Sequence, residues 1–204
     1  LYHQNFISNN SLDLLGDQLK RWLSELLDSF EVGDQPKILS KVSPKAEITG
    51  RVYIDEDCKV EPFSYIQGPA FITKFSEIRH GAYLRGNTYI GTHCVVGHTT
   101  EIKESVMLDH AKAGHFAYIG NSILGRHVNL GAGTKLANLK LNKSLVKYKD
   151  PQTKKINSSG LKKFGSILGD YCQTGCNSVL SPGSLLMPYS TVLPCEHFHG
   201  TKFK

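Results

Sequence analysis

Arg85 and Lys103 stand eighteen residues apart, each directly after an aliphatic residue, Leu84 and Ile102. If residues at that spacing lie one above the other, at the roughly 4.8 Å separation of neighbouring strands, the two cations repel unless an anion sits between them. A phosphate suits the pair: guanidinium binds it bidentately and ammonium acts as a point charge. The competing reading is two solvated charges. His80 and His98 share the spacing and raise a metal site, but the third residue of that column is Phe116, so a three-His set is not completed. His80 and His110 are 30 residues apart, not a whole number of eighteen-residue steps, which puts them on different faces. Cys172-x-x-x-Cys176 is not a usual zinc spacing either. Lys140, Lys143, Lys147, Lys149, Lys154 and Lys155 form either a solvated face or part of an anion site.

The eighteen-residue step is three steps of six. From Val42 to Leu108 an apolar residue recurs at every sixth position, twelve times in succession: Val42, Ile48, Ile54, Val60, Ile66, Ile72, Ile78, Leu84, Ile90, Val96, Ile102 and Leu108. Four residues after each of the first eleven comes a small or β-branched residue, from Ala46 to Val106; the twelfth has Lys112, where the frame slips. It resumes at Leu124, Leu130 and Leu136, and again from Leu168 to Val192. Six fits neither a 3.6-residue helix nor a two-residue alternation. It fits a short strand and a corner every six residues, three corners to a turn: an all-β, left-handed parallel β-helix of hexapeptide repeats. The large residue fills the interior and the small one the narrow corner, where Cys58, Cys94 and Cys172 are core packing. Gly91, Gly97, Gly120, Gly125, Gly131, Gly169 and Gly175 follow repeat apolar residues and are expected to supply backbone freedom.

Three segments fall outside the repeat, giving a helix and linker over 1–37, the β-helix over 38–195 with an inserted loop over 139–162, and a tail over 196–204. Residues 11–30 place Leu12, Leu15, Leu19, Trp22, Leu23, Leu26 and Phe30 on one helical face, with Ser11 as N-cap. The insertion is lysine- and turn-rich and leaves the prism as a loop or hairpin. The 204 residues carry 24 Lys+Arg against 18 Asp+Glu, a net charge of +6 that favours an anionic partner. No apolar run is long enough to span a bilayer, no membrane partner is expected, and five cysteines, an odd number, point to a reducing cytoplasm. The basic residues lack interleaved aromatics for base stacking, which disfavours nucleic acid.

Lys112-Ala-Gly-His-Phe-Ala-Tyr-Ile-Gly120, then Val128-Asn-Leu-Gly-Ala-Gly-Thr134 and Asn138, closely resemble one enzyme family. It is the acetyltransferase half of the bifunctional N-acetylglucosamine-1-phosphate uridyltransferase / glucosamine-1-phosphate acetyltransferases, together with related sugar-phosphate nucleotidylyltransferases that end in a similar β-helix. The resemblance covers about residues 80–195. It implies His115 as the base that takes a proton from the sugar amine, and Arg85, Lys103 and Tyr118 as phosphate contacts. Asn129 and Asn138 are implied as sugar or amine contacts and Lys163 as a further substrate lysine. Cys176, where the family carries Ser near acetyl-CoA, and Asn177 beside it are the implied cofactor contacts.

The resemblance thus implies an acetyl-CoA-dependent N-acetyltransferase acting on a hexosamine 1-phosphate, glucosamine 1-phosphate or its galactosamine analogue, as a homotrimer with no metal needed for acetyl transfer. Two departures stand out. The family's Asn-Tyr-Asp-Gly turn is Asn138-Leu139-Lys140-Leu141, followed by about 20 extra residues. The 37 residues ahead of the prism cannot hold a nucleotidyltransferase domain, so in a chain near full length uridylyl transfer falls to another protein. The rival reading from a different class is a non-catalytic β-helix, a scaffold or partner subunit of a sugar-phosphate nucleotidylyltransferase.

Overall fold

The computed structural model describes residues 14–203. Short strands alternate among three parallel sheets of nine, seven and eight strands, visited in the same order on every turn. The result is a three-sided parallel β-helix. Its interior is filled by the six-residue series, with Ile54, Ile66, Ile72, Ile78, Leu84, Ile90 and Ile102 fully buried. Small residues occupy the inner corners because no larger side chain fits beside those aliphatics. Their hydroxyls also satisfy corner backbone groups: Ser76 Oγ donates to the Gly91 carbonyl at 2.6 Å and accepts from Cys94 N at 3.0 Å. Cys58, Cys94 and Cys172 lie at these inner positions.

The coils are not uniform. Strand Tyr83–Arg85 pairs with Glu101–Lys103 at a shift of eighteen residues, but Glu101 pairs with Tyr118 at seventeen. One residue is lost at the corner leading into the nine-stranded face: two residues, Gly86 and Asn87, join Arg85 to Thr88, whereas Glu104 alone joins Lys103 to Ser105. The frame therefore slips here and not after Leu108 as the six-residue series predicts. Met107 takes the interior place expected for Leu108, while Val106 and Leu108 join an outer apolar cluster.

That outer cluster is covered by helix α1 (Asp17–Ser29), which lies on the nine-stranded face and buries Leu19, Leu23 and Leu27 completely. Burying each such leucine contributes about 1.5–3 kcal/mol. The expected face omitted Leu27, and Trp22, Leu26 and Phe30 flank it half-buried against the aromatic column of Tyr53, Phe71 and Tyr89. Gly16, at φ 63, stands at the N-cap with no side-chain cap; Ser11 and Leu12 lie outside the described residues.

The insertion does not project freely. Lys147–Lys149 and Ile156–Ser158 form an antiparallel hairpin, and Val146 and Phe164, fully buried, join the cluster under α1. Residues expected as a tail continue the prism: His197–Phe198 and Thr201–Lys202 add strands to the eight- and nine-stranded sheets. The seven glycines after repeat apolar residues are required for room and not for backbone freedom. None has positive φ, and a Cβ on each would fall closer than 3 Å to the next coil or a side chain beside it.

Candidate active site

Arg85, Lys103 and Tyr118 all lie on the outer side of the eight-stranded face, in three successive coils. The stacked pair predicted from the spacing is in register, but each cation has a carboxylate. Arg85 Nη1 donates to Glu101 Oε1 at 2.6 Å, and Lys103 Nζ lies 3.5 Å from Glu104 Oε1. Lys103 and Glu104 are each four-fifths buried, so this pair is screened less than a surface one. Glu101 keeps Arg85 firmly protonated.

Tyr118 is half-buried. Burial lifts its phenol above the ordinary value, the Glu101 carboxylate adds to that, and Arg85 and the Asn138 amide act against it. At neutral pH Tyr118 therefore holds its proton and can donate to an anion held by the two cations. Gly120, in register with Lys103, leaves the space that this arrangement needs: a Cβ there would stand 2.7 Å from both the Tyr118 hydroxyl and Asn138 Nδ2. Asn138 sits at the corner between the eight- and nine-stranded faces, its carbonyl accepting from Phe164 N at 2.9 Å. Lys163 is beside it through an antiparallel bridge to Leu139, so the insertion leaves and returns at the edge of this site.

His115 ends strand Lys112–His115 of the seven-stranded face and is exposed at the corner that opens onto the eight-stranded face. Its column differs from the expected one. His98 pairs with His115 at seventeen residues, so the residue above His80 and His98 is His115 and not Phe116. The His80 and His98 rings stack at 5.3 Å, with His98 Nδ1 3.0 Å from the His80 carbonyl oxygen. Among the described residues no three His, Cys, Asp or Glu side chains converge as metal ligands. His110 belongs to another corner, where Phe75, His93, His110, His127, Tyr171 and Tyr189 form one stacked column.

Cys176 and Asn177 are exposed at the His115 corner, further along the prism. The Asn177 backbone N–H donates to the Ala132 carbonyl at 2.8 Å. Asn129, by contrast, is exposed on the seven-stranded face, paired with Lys112 and Gln173. Within one chain it is not brought together with Arg85, Lys103, Tyr118 and Asn138. Three polar groups of the site, Glu101, Glu104 and Asn121, were not foreseen. Glu101 shares a face with Lys103 by the two-residue alternation of a strand, and Asn121 emerges only when the coil is counted as seventeen residues.

The regular coils, inward aliphatics and cornered small residues define a β-helix protein of the hexapeptide-repeat class. A solved structure is similar in fold: UDP-N-acetylglucosamine acyltransferase of Francisella novicida superposes with a TM-score of 0.57 at 15% identity, covering 79% of this chain and 60% of that one. At that identity the likeness is one of fold, the left-handed parallel β-helix. The chain belongs to the family described as GMPPB C-terminal domain, whose model matches residues 66–195. It is also 37% identical over 156 residues to a bifunctional sugar-1-phosphate nucleotidylyltransferase/acetyltransferase of Sulfurisphaera tokodaii, covering 76% of this chain. To the bifunctional protein GlmU of Methanococcus maripaludis (strain C7) it is 48% identical over 153 residues, covering 72% of this chain. The chain spans only 38% and 36% of the lengths of those two relatives.

Proposed function

We propose that this protein is an N-acetyltransferase that moves acetyl from acetyl-CoA to the amine of a hexosamine 1-phosphate, glucosamine 1-phosphate in the first instance. The observation that carries the reading is the placing of Arg85, Lys103, Tyr118 and Asn138 on and beside one face, with His115 at the corner that opens onto it. The printed name of the Sulfurisphaera relative joins sugar-1-phosphate chemistry to acetyl transfer and supports the same assignment.

In this reading Arg85 and Lys103 hold the phosphate, Tyr118 donates to it, and Lys163 closes the edge. His115 accepts a proton as the amine nitrogen attacks the thioester carbonyl carbon. The N–C bond forms, a tetrahedral oxyanion develops and collapses, the C–S bond breaks, and the proton returns to the departing thiolate of CoA. The thioester is already activated, so positioning supplies much of the rest. Cys176 and Asn177, on the His115 corner, contact acetyl-CoA. Asn129 faces away from the clamp and serves a site in a cleft between two copies, as in a homotrimer.

The test is CoA thiol release from acetyl-CoA with glucosamine 1-phosphate, beside galactosamine 1-phosphate and His115→Ala. Turnover with one sugar, lowered about 10²–10⁴-fold in the variant, is expected for a lost general base. A folded protein that releases no thiol with either sugar overturns the proposal in favour of a non-catalytic partner subunit.

A further inference from the structure

We infer that Glu104 and Asn121 are positioning residues that set which way the Asn138 carboxamide and the Tyr118 hydroxyl point. The kinetic arm of this inference rests on the acetyl-transfer reading; its geometry does not. At the corner between the eight- and nine-stranded faces, Glu104, Asn121 and Asn138 follow one another in three successive coils. Asn121 Nδ2 donates to Glu104 Oε2 at 3.0 Å, and Asn138 Nδ2 donates to Asn121 Oδ1 at 2.6 Å. Asn138 Nδ2 also lies beside the Tyr118 hydroxyl, both crowding the space left by Gly120.

The direction of the chain follows from donor and acceptor capacity. An ionised carboxylate only accepts. Glu104, held by Lys103, therefore forces Asn121 to present its NH₂ to the carboxylate and its oxygen to Asn138. Asn138 must answer with its own NH₂. Its second N–H then faces the Tyr118 oxygen, which leaves Asn138 Oδ1 free to accept from a ligand and the Tyr118 proton free to be donated to one. A single charge, itself four-fifths buried, thus fixes the polarity of two groups on the site.

One feature sets this chain of bonds apart from corner packing. Elsewhere inner hydroxyls such as those of Ser76, Thr100 and Thr134 bond to backbone carbonyls and so complete the corner itself. Here the Asn121 and Asn138 side-chain amides bond to other side chains, while the Asn121 backbone N–H is satisfied separately by the Lys103 carbonyl at 2.9 Å. Glu104 and Asn121 both have φ 46, the left-handed conformation that corner residues such as Asn87, His93 and Thr99 also adopt. Both coils step by seventeen residues, which brings these side chains into line.

The experiment follows Tyr118 by NMR of protein labelled at tyrosine Cζ, in the parent, in Asn121→Gly, which tolerates the positive φ, and in Asn121→Ala. Without Asn121 the Asn138 amide turns away, and the Tyr118 titration is expected to move upward in both variants, each of which stays folded. In the same variants KM for the amino-sugar phosphate is expected to rise about tenfold, with KM for acetyl-CoA unchanged; a packing defect would not divide the two substrates. A Tyr118 titration that is unmoved in both folded variants overturns the inference, whatever the turnover. A shifted titration in a protein that acetylates no amino-sugar phosphate upholds the positioning chain and sinks the acetyl-transfer reading instead.

Discussion

Gly97 and Gly114 occupy facing strands of adjacent coils, Val95–His98 and Lys112–His115, yet their substitutions should have opposite consequences. A Cβ on Gly97 would lie 1.7 Å from the Gly114 carbonyl oxygen and 2.1 Å from its carbon, whereas a Cβ on Gly114 meets nothing within 4 Å. The obstacle to Gly97→Ala is main chain, which cannot rotate aside. The later strand would have to retreat by more than an ångström, loosening bonds such as Phe116 N to His98 O at 2.7 Å and Val95 N to Ala111 O at 3.0 Å. Two to four bonds at roughly 1 kcal/mol each give a cost of about 3 kcal/mol. For a chain of this size that lowers the melting temperature by about 6–12 °C. Gly114→Ala should leave it unchanged or raise it slightly by restricting the unfolded chain. Circular-dichroism melts of parent, Gly97→Ala and Gly114→Ala decide the matter. Equal melting temperatures for the two variants, or a larger loss for Gly114→Ala, would refute the stacking geometry beneath His115.

Further expectations come from burial and charge. Of five free thiols, Cys176 and Cys195 are exposed while Cys58, Cys94 and Cys172 are buried, with burial pushing the Cys94 thiol up to about 12 and Cys172 to about 11. An aromatic disulfide reagent should therefore label two thiols in the native protein and five after denaturation. Burial, then the neighbouring His127 and His93, push His110 below its ordinary value, with Lys112 acting the same way and Asp109 opposing. The unfolded chain then takes up that proton first, so stability should fall as pH drops through about 6.5. His110→Phe, which keeps the ring column, should flatten that fall in pH-dependent melts; an unchanged slope would count against the stacked imidazoles as its source. Gly120→Ala, whose Cβ meets the Tyr118 hydroxyl and Asn138 Nδ2, should displace these side-chain ends, raise KM for the acceptor about tenfold and lower the melting temperature by only a few degrees, since one hydrogen bond of roughly 1 kcal/mol is lost and no main chain has to move.

The period of six was legible because it reports the prism interior, the environment that recurs on every side of every coil. The position of the slip was not, and the reason is physical. Helix α1 and the insertion cover the nine-stranded face, so its outward residues are apolar as well: Tyr53, Phe71, Tyr89, Val106, Leu108 and Ile123 are all buried outside the prism. Hydrophobicity therefore cannot tell inside from outside there. Leu108 and Val106 satisfy the regular frame as well as Met107 and Ser105 satisfy the true one. Among the described residues no such cover lies on the other two faces, so Arg85 and Lys103 were correctly stacked before the slip, while Phe116, counted at eighteen residues across the unseen slip, was misplaced by one.

The site depends on that same irregularity. With every coil at eighteen residues, Glu104 would have a second corner residue beside it, Phe116 would stand above His98, and Asn121 would be out of line with Asn138. Losing one residue at the Lys103–Ser105 corner moves every later residue by one place around the prism. It brings His115 to the corner bordering the eight-stranded face and places Gly120 over Lys103, where Tyr118 and Asn138 have room to meet. A regular β-helix would pack its core equally well, so the shortened coil is better explained by the groups it aligns than by the fold it interrupts.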